Sequence, residues 1–227
     1  MFKKVVTVLS NPQALRSKSS NFPEDLSSFS EQDNEDLRDL IDTFNVLEGH
    51  GLALPQIGVK KRAVVVNFQS LGIQELSDSE IMINPSITPA GPVQKSAEAC
   101  FSVPHVSALV PRPYSCLVSY TSAEGEKKEL QLEGYAAACV QHEVDHLDGV
   151  LYVDHLSNVN RSRLLKKARK TENKLEEEKR SARMEFEREH SELYGVQSKK
   201  PVRRPKTKAE LKKAKRKRKL QKASRRK

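Results

Sequence analysis

Two histidines flank a glutamate in the run His142-Glu143-Val144-Asp145-His146. Residues four apart on a helix share a face about one turn apart, so both imidazoles can reach a single metal ion while Glu143 approaches a water bound there. The pattern supplies two ligands and a base, and it asks for a third ligand. In one group of zinc proteases that ligand is a histidine six residues further on, preceded by a glycine. Here the glycine, Gly149, is present, but position 152 is Tyr152. Upstream, Cys100 in the run Glu98 to Ser102 (EACFS) offers a sulfur that becomes a ligand once it is a thiolate. Taken alone, Cys100 reads equally as a small buried hydrophobe.

The elements that must position these groups follow from periodicity. Tyr135 to Leu147 reads as a helix, with Gly134 before it and Gly149 available to end it. Leu37, Leu40, Ile41, Phe44 and Leu47 recur at helical spacing and predict an amphipathic helix over positions 34 to 48. β-Branched or alternating runs predict strands at Val5 to Leu9, Arg62 to Phe68, Ile81 to Thr88 (broken by Pro85), 115 to 121 and 128 to 133. The last two are joined by a hairpin at Ala123, Glu124 and Gly125. A helix, several mostly antiparallel strands and a second helix make an α+β pattern, not alternating βαβ units. The helix carrying His142 and His146 is expected at its centre.

Charge divides the chain. Of 227 residues, 40 are Lys or Arg and 30 are Asp or Glu. Positions 1 to 160 hold 12 basic and 21 acidic residues, whereas positions 161 to 227 hold 28 basic and 9 acidic ones. The first part carries nearly all the apolar clusters and is expected to fold as a domain over 1 to 160. The remainder is too charged to offset its ordering entropy by burial. A charged helical extension is expected over 161 to 196 and a disordered basic tail over 197 to 227. No apolar run approaches the roughly 18 to 20 residues that cross a bilayer, so no membrane association is expected. Three sparse cysteines argue against a disulfide framework and for a reducing compartment. The expected location is cytoplasmic, or organellar if a presequence has been removed, and oligomeric state is silent.

GHGLALPQIG (Gly49 to Gly58), EACFS (Glu98 to Ser102) and QHEVDHLDG (Gln141 to Gly149) resemble, in order and approximate separation, three motifs of the peptide deformylases: GxGLAAPQxG, EGCLS and QHExDHLxG. The resemblance spans roughly positions 4 to 157. It implies a divalent metal held by Cys100, His142 and His146, with ferrous iron the usual ion and zinc, nickel or cobalt as substitutes. Water in the fourth position and Glu143 as acid and base complete the implied machinery, which acts on formylmethionyl nascent peptides. It further implies that the Gln56 amide and the Phe101 backbone N–H receive the developing oxyanion, and that Gly51 and Ala99 lie against the substrate. Glu98 is the family's motif-two glutamate, with Arg112 as its candidate partner. Asp145 is left between bracing a ligand histidine and capping the helix. Four positions depart from the family pattern. Ala99 replaces a glycine, where a Cβ would matter if φ were positive, and Phe101 replaces a leucine. Leu54 replaces an alanine, and Ser107 stands where many members carry an arginine. A fold retained without turnover, as a ribosome- or RNA-associated protein, is the second reading. His50, His105, His155, His190, Cys116 and Cys139 are left outside the site.

From position 199 to 227 there are 17 basic residues against one acid, Glu210, and no aromatic follows Tyr194. Such a segment can neutralise several phosphates but offers no stacking platform for bases. The expected partner is ribosomal RNA, bound electrostatically, which would raise the local concentration of nascent chains.

Overall fold

Ser30 begins the first helix by accepting a hydrogen bond from Asp33 N–H while Asp33 accepts one from Ser30 N–H, a reciprocal cap that satisfies two otherwise orphaned donors. In the computed structural model, which describes residues 1–194, this helix is α1, Glu31–Phe44. It starts and ends about three residues before the expected span, because the cap lies outside the apolar repeat that revealed it. The remaining elements are β1 (Gly51–Ala53), β2 (Ala63–Val66), β3 (Glu80–Cys100), β4 (Val103–Thr121), β5 (Lys127–Glu133), α2 (Gly134–Leu147) and α3 (Asn158–Tyr194). The five strands form one antiparallel sheet in sequence order. The fold is α+β, as expected.

The run Ala63-Val64-Val65-Val66 is buried along its whole length because the sheet is covered on both sides. Period-2 alternation sends Val64 and Val66 into one cluster, where Ala137, Val140, Val144 and Leu147 of α2 lie. Ala63 and Val65 join Leu37, Leu40 and Phe44 of α1 in a second cluster. Thus α2 is pinned to the sheet by four apolar residues while His142, Glu143 and His146 are left for the site. A third cluster gathers Val103, Val106 and Tyr152 with Ala168 of α3, and Leu164 and Leu165 pack against it. The first turns of α3 are therefore docked, and the front compact unit runs from Met1 to Glu176. Beyond it the helix is exposed, and Arg183 pairs with Glu187 one turn on. The expected basic tail, 197 to 227, lies outside the described residues.

Two strand expectations are corrected. Val5 to Leu9 forms no strand; it makes single backbone bonds from Val6 N–H to Gln56 O at 2.7 Å and from Val8 N–H to Ser102 O at 2.9 Å. That run bridges the loops of motifs one and two, neither of which presents a strand edge long enough for a ladder. In contrast, β3 does not stop at Pro85. Asn84 takes φ +51°, and its side chain bonds reciprocally to the Phe22 backbone. Proline is then carried in a register shift between Ile83 and Ser86, where no ladder donor is needed.

Candidate metal centre

Cys100 is the last residue of β3 and pairs with Val103, so Phe101 and Ser102 form a tight turn that fixes the sulfur at the sheet's end. Across from it, α2 supplies His142 and His146 from one face. The ligand atoms of Cys100, His142 and His146 all lie within 4.8 Å of one another. His146 Nε2 is 3.3 Å from Cys100 Sγ. His142 Nδ1 is 2.7 Å from Glu98 Oε2, which leaves Nε2 as the nitrogen available to an ion. The expected convergence of a thiol and two imidazoles is therefore present in the geometry, 42 residues separating the cysteine from the first histidine.

The electrostatics favour a cation. Burial raises the Cys100 thiol, but His146 and His142 outweigh that effect and hold it well below the ordinary range, giving thiolate character. Burial would lower His142, yet Cys100 and Glu98 hold its proton well above the usual pH. Glu98 in turn is lowered against its own burial by His142 and Arg112. The same negative groups that retain a proton would favour a divalent ion among them, so the donor set fits a metal.

Glu143 is 5% exposed, and its Oε2 has no hydrogen-bond partner. Burial pushes its carboxyl up to about 7, against the pull of the two histidines. A carboxyl with that pKa can both take and return a proton near neutrality. Its position is tied to Gly51, where an added Cβ would come within 2.7 Å of Glu143 Cγ and 2.8 Å of Oε1. The glycine leaves room for the glutamate.

Gln56 sits in the short 3-10 turn after β1. Its Oε1 accepts from Ala53 N–H at 2.8 Å, which aims Nε2 at Ser102 Oγ (3.3 Å) and Cys100 Sγ (3.5 Å). One amide thus orders the loop and also presents a donor to the cluster. Ala99 pairs with Ser107 in the ladder and has no positive φ, so its Cβ imposes no backbone strain. The larger Phe101 ring is accommodated by a glycine: a Cβ at Gly49 would lie 2.7 Å from it.

Behind the ligands runs a buried chain of charges. Arg112 donates through Nε and Nη2 to Glu98 at 2.8 and 3.1 Å and through Nη1 to Asp145 at 2.6 Å. Asp145 is also 2.7 Å from His155 Nε2. Asp145 therefore acts on His142 at two removes, through Arg112 and Glu98, and does not brace a ligand histidine directly. Tyr152 closes one side, its ring stacked on His142 and its hydroxyl donating to Val106 O.

A cavity of about 960 Å³ opens over this cluster. Among the residues that line it and that sequence reasoning left outside the site are His50, His105 and Lys167. None has ligand spacing, and their placement depends on contacts between distant segments. His50 Nδ1 is 2.7 Å from Ser70 Oγ, and His105 Nε2 is 2.5 Å from Glu172 Oε2 on α3. Cys139 also lines the cavity, but burial holds its thiol well above the ordinary range, and it stands outside the ligand group.

An α+β fold with a half-buried cysteine and two imidazoles converging beside a buried carboxyl at an open cleft defines a metal-dependent hydrolase. The chain belongs to the polypeptide deformylase family, whose sequence profile matches residues 3–162. It is 34% identical over 167 residues to a peptide deformylase of Pelagibacter ubique, covering 73% of this chain and 94% of that one. It is 39% identical over 143 residues to that of Zymomonas mobilis, covering 62% and 80%. Among solved structures, the peptide deformylase of Ehrlichia chaffeensis in complex with actinonin matches with TM-score 0.64 at 30% identity, over 75% of this chain and 98% of that one. The peptide deformylase from Legionella pneumophila matches with TM-score 0.66 at 29% identity, over 76% and 96%. By class the chain is thus a deformylase, a hydrolase of co-translational protein processing. No helix among the described residues is long and apolar enough to cross a membrane.

Proposed function

We propose that the cleft removes the formyl group from the N-terminal formylmethionine of nascent polypeptides, with Cys100, His142 and His146 holding one divalent ion, ferrous iron by preference. The observation that carries this reading is the buried Glu143 carboxyl, its Oε2 without a partner, beside the Cys100, His142, His146 cluster and the Gln56 amide. An ion bound there supplies Lewis acidity, which brings the ionisation of water down towards neutral pH. Glu143 takes a proton from the attacking water as the nucleophile adds to the formyl carbon. Gln56 Nε2–H and the Phe101 backbone N–H, at the turn after Cys100, receive the charge that develops on the formyl oxygen. Glu143 then returns its proton to the departing amine nitrogen, so formate and a free α-amino terminus are released. Glu98, held by Arg112, keeps His142 in the tautomer that offers Nε2. The decisive measurement is formate release from a formyl-Met tripeptide by iron-loaded protein kept anaerobic. Release without cleavage of internal peptide bonds is expected; no release from metal-replete protein would leave only a binding module.

The domain reading extends to the tail. We take positions 1 to 160 as the catalytic domain, 161 to 196 as a charged helical extension and 197 to 227 as a basic segment that docks on ribosomal RNA. The support is its charge, 17 basic residues and one acid over 199 to 227. Neutralising six or more phosphates would cost affinity on the order of 10³-fold or more between about 50 and 200 mM salt. Full-length protein should therefore pellet with ribosomes at low salt and be released at high salt, while protein ending at Val196 stays in the supernatant at both. Equal pelleting of the two forms would remove the docking reading.

A further inference from the structure

Lys167 lines the cavity over the metal-competent cluster, and among the lining residues it is the one Lys or Arg. The other charged groups that face this space are Glu48, Glu98, Glu143 and the histidines His50, His105 and His142. Glu98 is taken up by Arg112 and His142, and Glu143 lies at the buried end. Lys167 is exposed and makes no hydrogen bond or ion pair with the described residues, so its charge is unspent.

The helix turn that carries Lys167 is nevertheless held at a defined place. Its helix neighbour Ala168 is fully buried, Leu164 and Leu165 pack against the cluster of Val103, Val106 and Tyr152, and Glu172 one turn further on grips His105 at 2.5 Å. His105 itself lies on β4 with φ +68°, two residues before Ser107, which also lines the cavity. Packing on one side of α3 and an ion pair one turn on thus clamp the helix against the β4 rim, with Lys167 between the two anchors. Sequence reading takes this stretch for a solvated charged helix, because Leu164, Leu165 and Ala168 make only a thin apolar stripe and the ion pair is not visible without the fold.

We infer that Lys167 is a specificity-determining residue of the cleft, favouring formylated peptides that carry a carboxylate side chain beyond the methionine. The inference rests on the deformylase reading of the site. A cavity of about 960 Å³ lies at the upper end of the roughly 300–1,000 Å³ of small-ligand sites. A peptide whose formyl group meets Glu143 and Gln56 at the buried end has room to continue within the cavity that Lys167 also lines. An acidic residue there meets the one unpaired lining cation; a basic one is repelled by it. Because the contact is remote from the reacting atoms and equally present in ground and transition states, it acts on KM and leaves kcat unchanged.

The test compares formyl-Met-Ala-Asp and formyl-Met-Ala-Lys, both as C-terminal amides, with wild-type protein and the Lys167→Met, Lys167→Glu and Lys167→Arg variants, reading formate. An exposed ion pair predicts a KM for the Asp peptide about 2- to 5-fold lower in the wild type. That preference is lost in Lys167→Met, reversed in Lys167→Glu, restored in Lys167→Arg and erased by about 0.5 M salt. The kcat values should stay the same throughout. Equal preference in wild type and Lys167→Met, or a loss confined to kcat, overturns the assignment to Lys167 while the deformylase reading stands. Absence of formate from both peptides with metal-replete wild type overturns that reading and this one with it.

Discussion

In Glu143→Gln, formate release falls about 10²- to 10⁴-fold while the metal content of the purified protein stays that of the wild type. The expectation follows from what the substitution keeps and removes. Glutamine fills the same volume above Gly51 and takes no part in the Cys100, His142, His146 ligand group. It cannot accept a proton from water or pass one to an amine. The buried carboxyl is held at about 7 in the folded chain, above its ordinary 4.5, first by burial and with Cys100 and Glu98 adding to it. The unfolded chain therefore releases this proton at lower pH than the folded one. Any stability the group contributes is complete below about 4.5 and is lost as pH rises through about 7. In metal-free protein at pH 8, Glu143→Gln should consequently melt no lower than the wild type, and higher if no other group responds. Near-normal formate release by this variant would mean that the proton shuttle lies elsewhere in the cleft. Loss of bound metal together with activity would mean that Glu143 serves as a ligand.

How much of this was legible in the sequence depends on how far apart the cooperating residues lie. His142, Glu143 and His146 declare themselves because one helical turn fixes their geometry before any tertiary contact forms. Cys100 does not; 42 residues away, it reads equally as a ligand or a small buried hydrophobe, and only three motifs in their family order decide between the two. The Glu98–Arg112 pair was readable only through the family resemblance, since the ladder sets Glu98 opposite Ala108 and Arg112 opposite Gln94, and the extension to Asp145 and His155 links three separate elements and left no local trace. The strand expectation at Val5 to Leu9 failed for a related reason. β-Branched residues report a preference for extended backbone, but a ladder also needs a partner edge, and this run meets only Gln56 and Ser102. Pro85 misled in the opposite direction, since the reciprocal Asn84–Phe22 bonds that make its bulge tolerable span 62 residues. Lys167 belongs with these, its meaning set by an apolar dock and an ion pair that composition hides.

Gly51→Ala should lower kcat by about 10²-fold with the metal ligands untouched, an effect larger than a change of one methyl group ordinarily produces. The family resemblance implies a glycine that lets substrate approach; the structure adds a second tenant. A Cβ at this position would stand 2.7 Å from Glu143 Cγ, 2.8 Å from Oε1 and 2.9 Å from Cδ, closer than such atoms approach one another. The backbone has little freedom to retreat, because Gly51 pairs with Val66 and neighbouring Leu52 is fully buried against α1. The glutamate must therefore give way, and a shift of about 1 Å in a proton-transfer group is enough to cost two orders of magnitude. Gly51 has no positive φ, so the substitution adds no backbone strain, and the folded state should survive with a modest loss of thermal stability. Formate kinetics separate the two roles of the glycine. If its service is to Glu143, kcat falls and KM for the formyl-Met tripeptide barely moves. A rise in KM at constant kcat would return Gly51 to the substrate side alone.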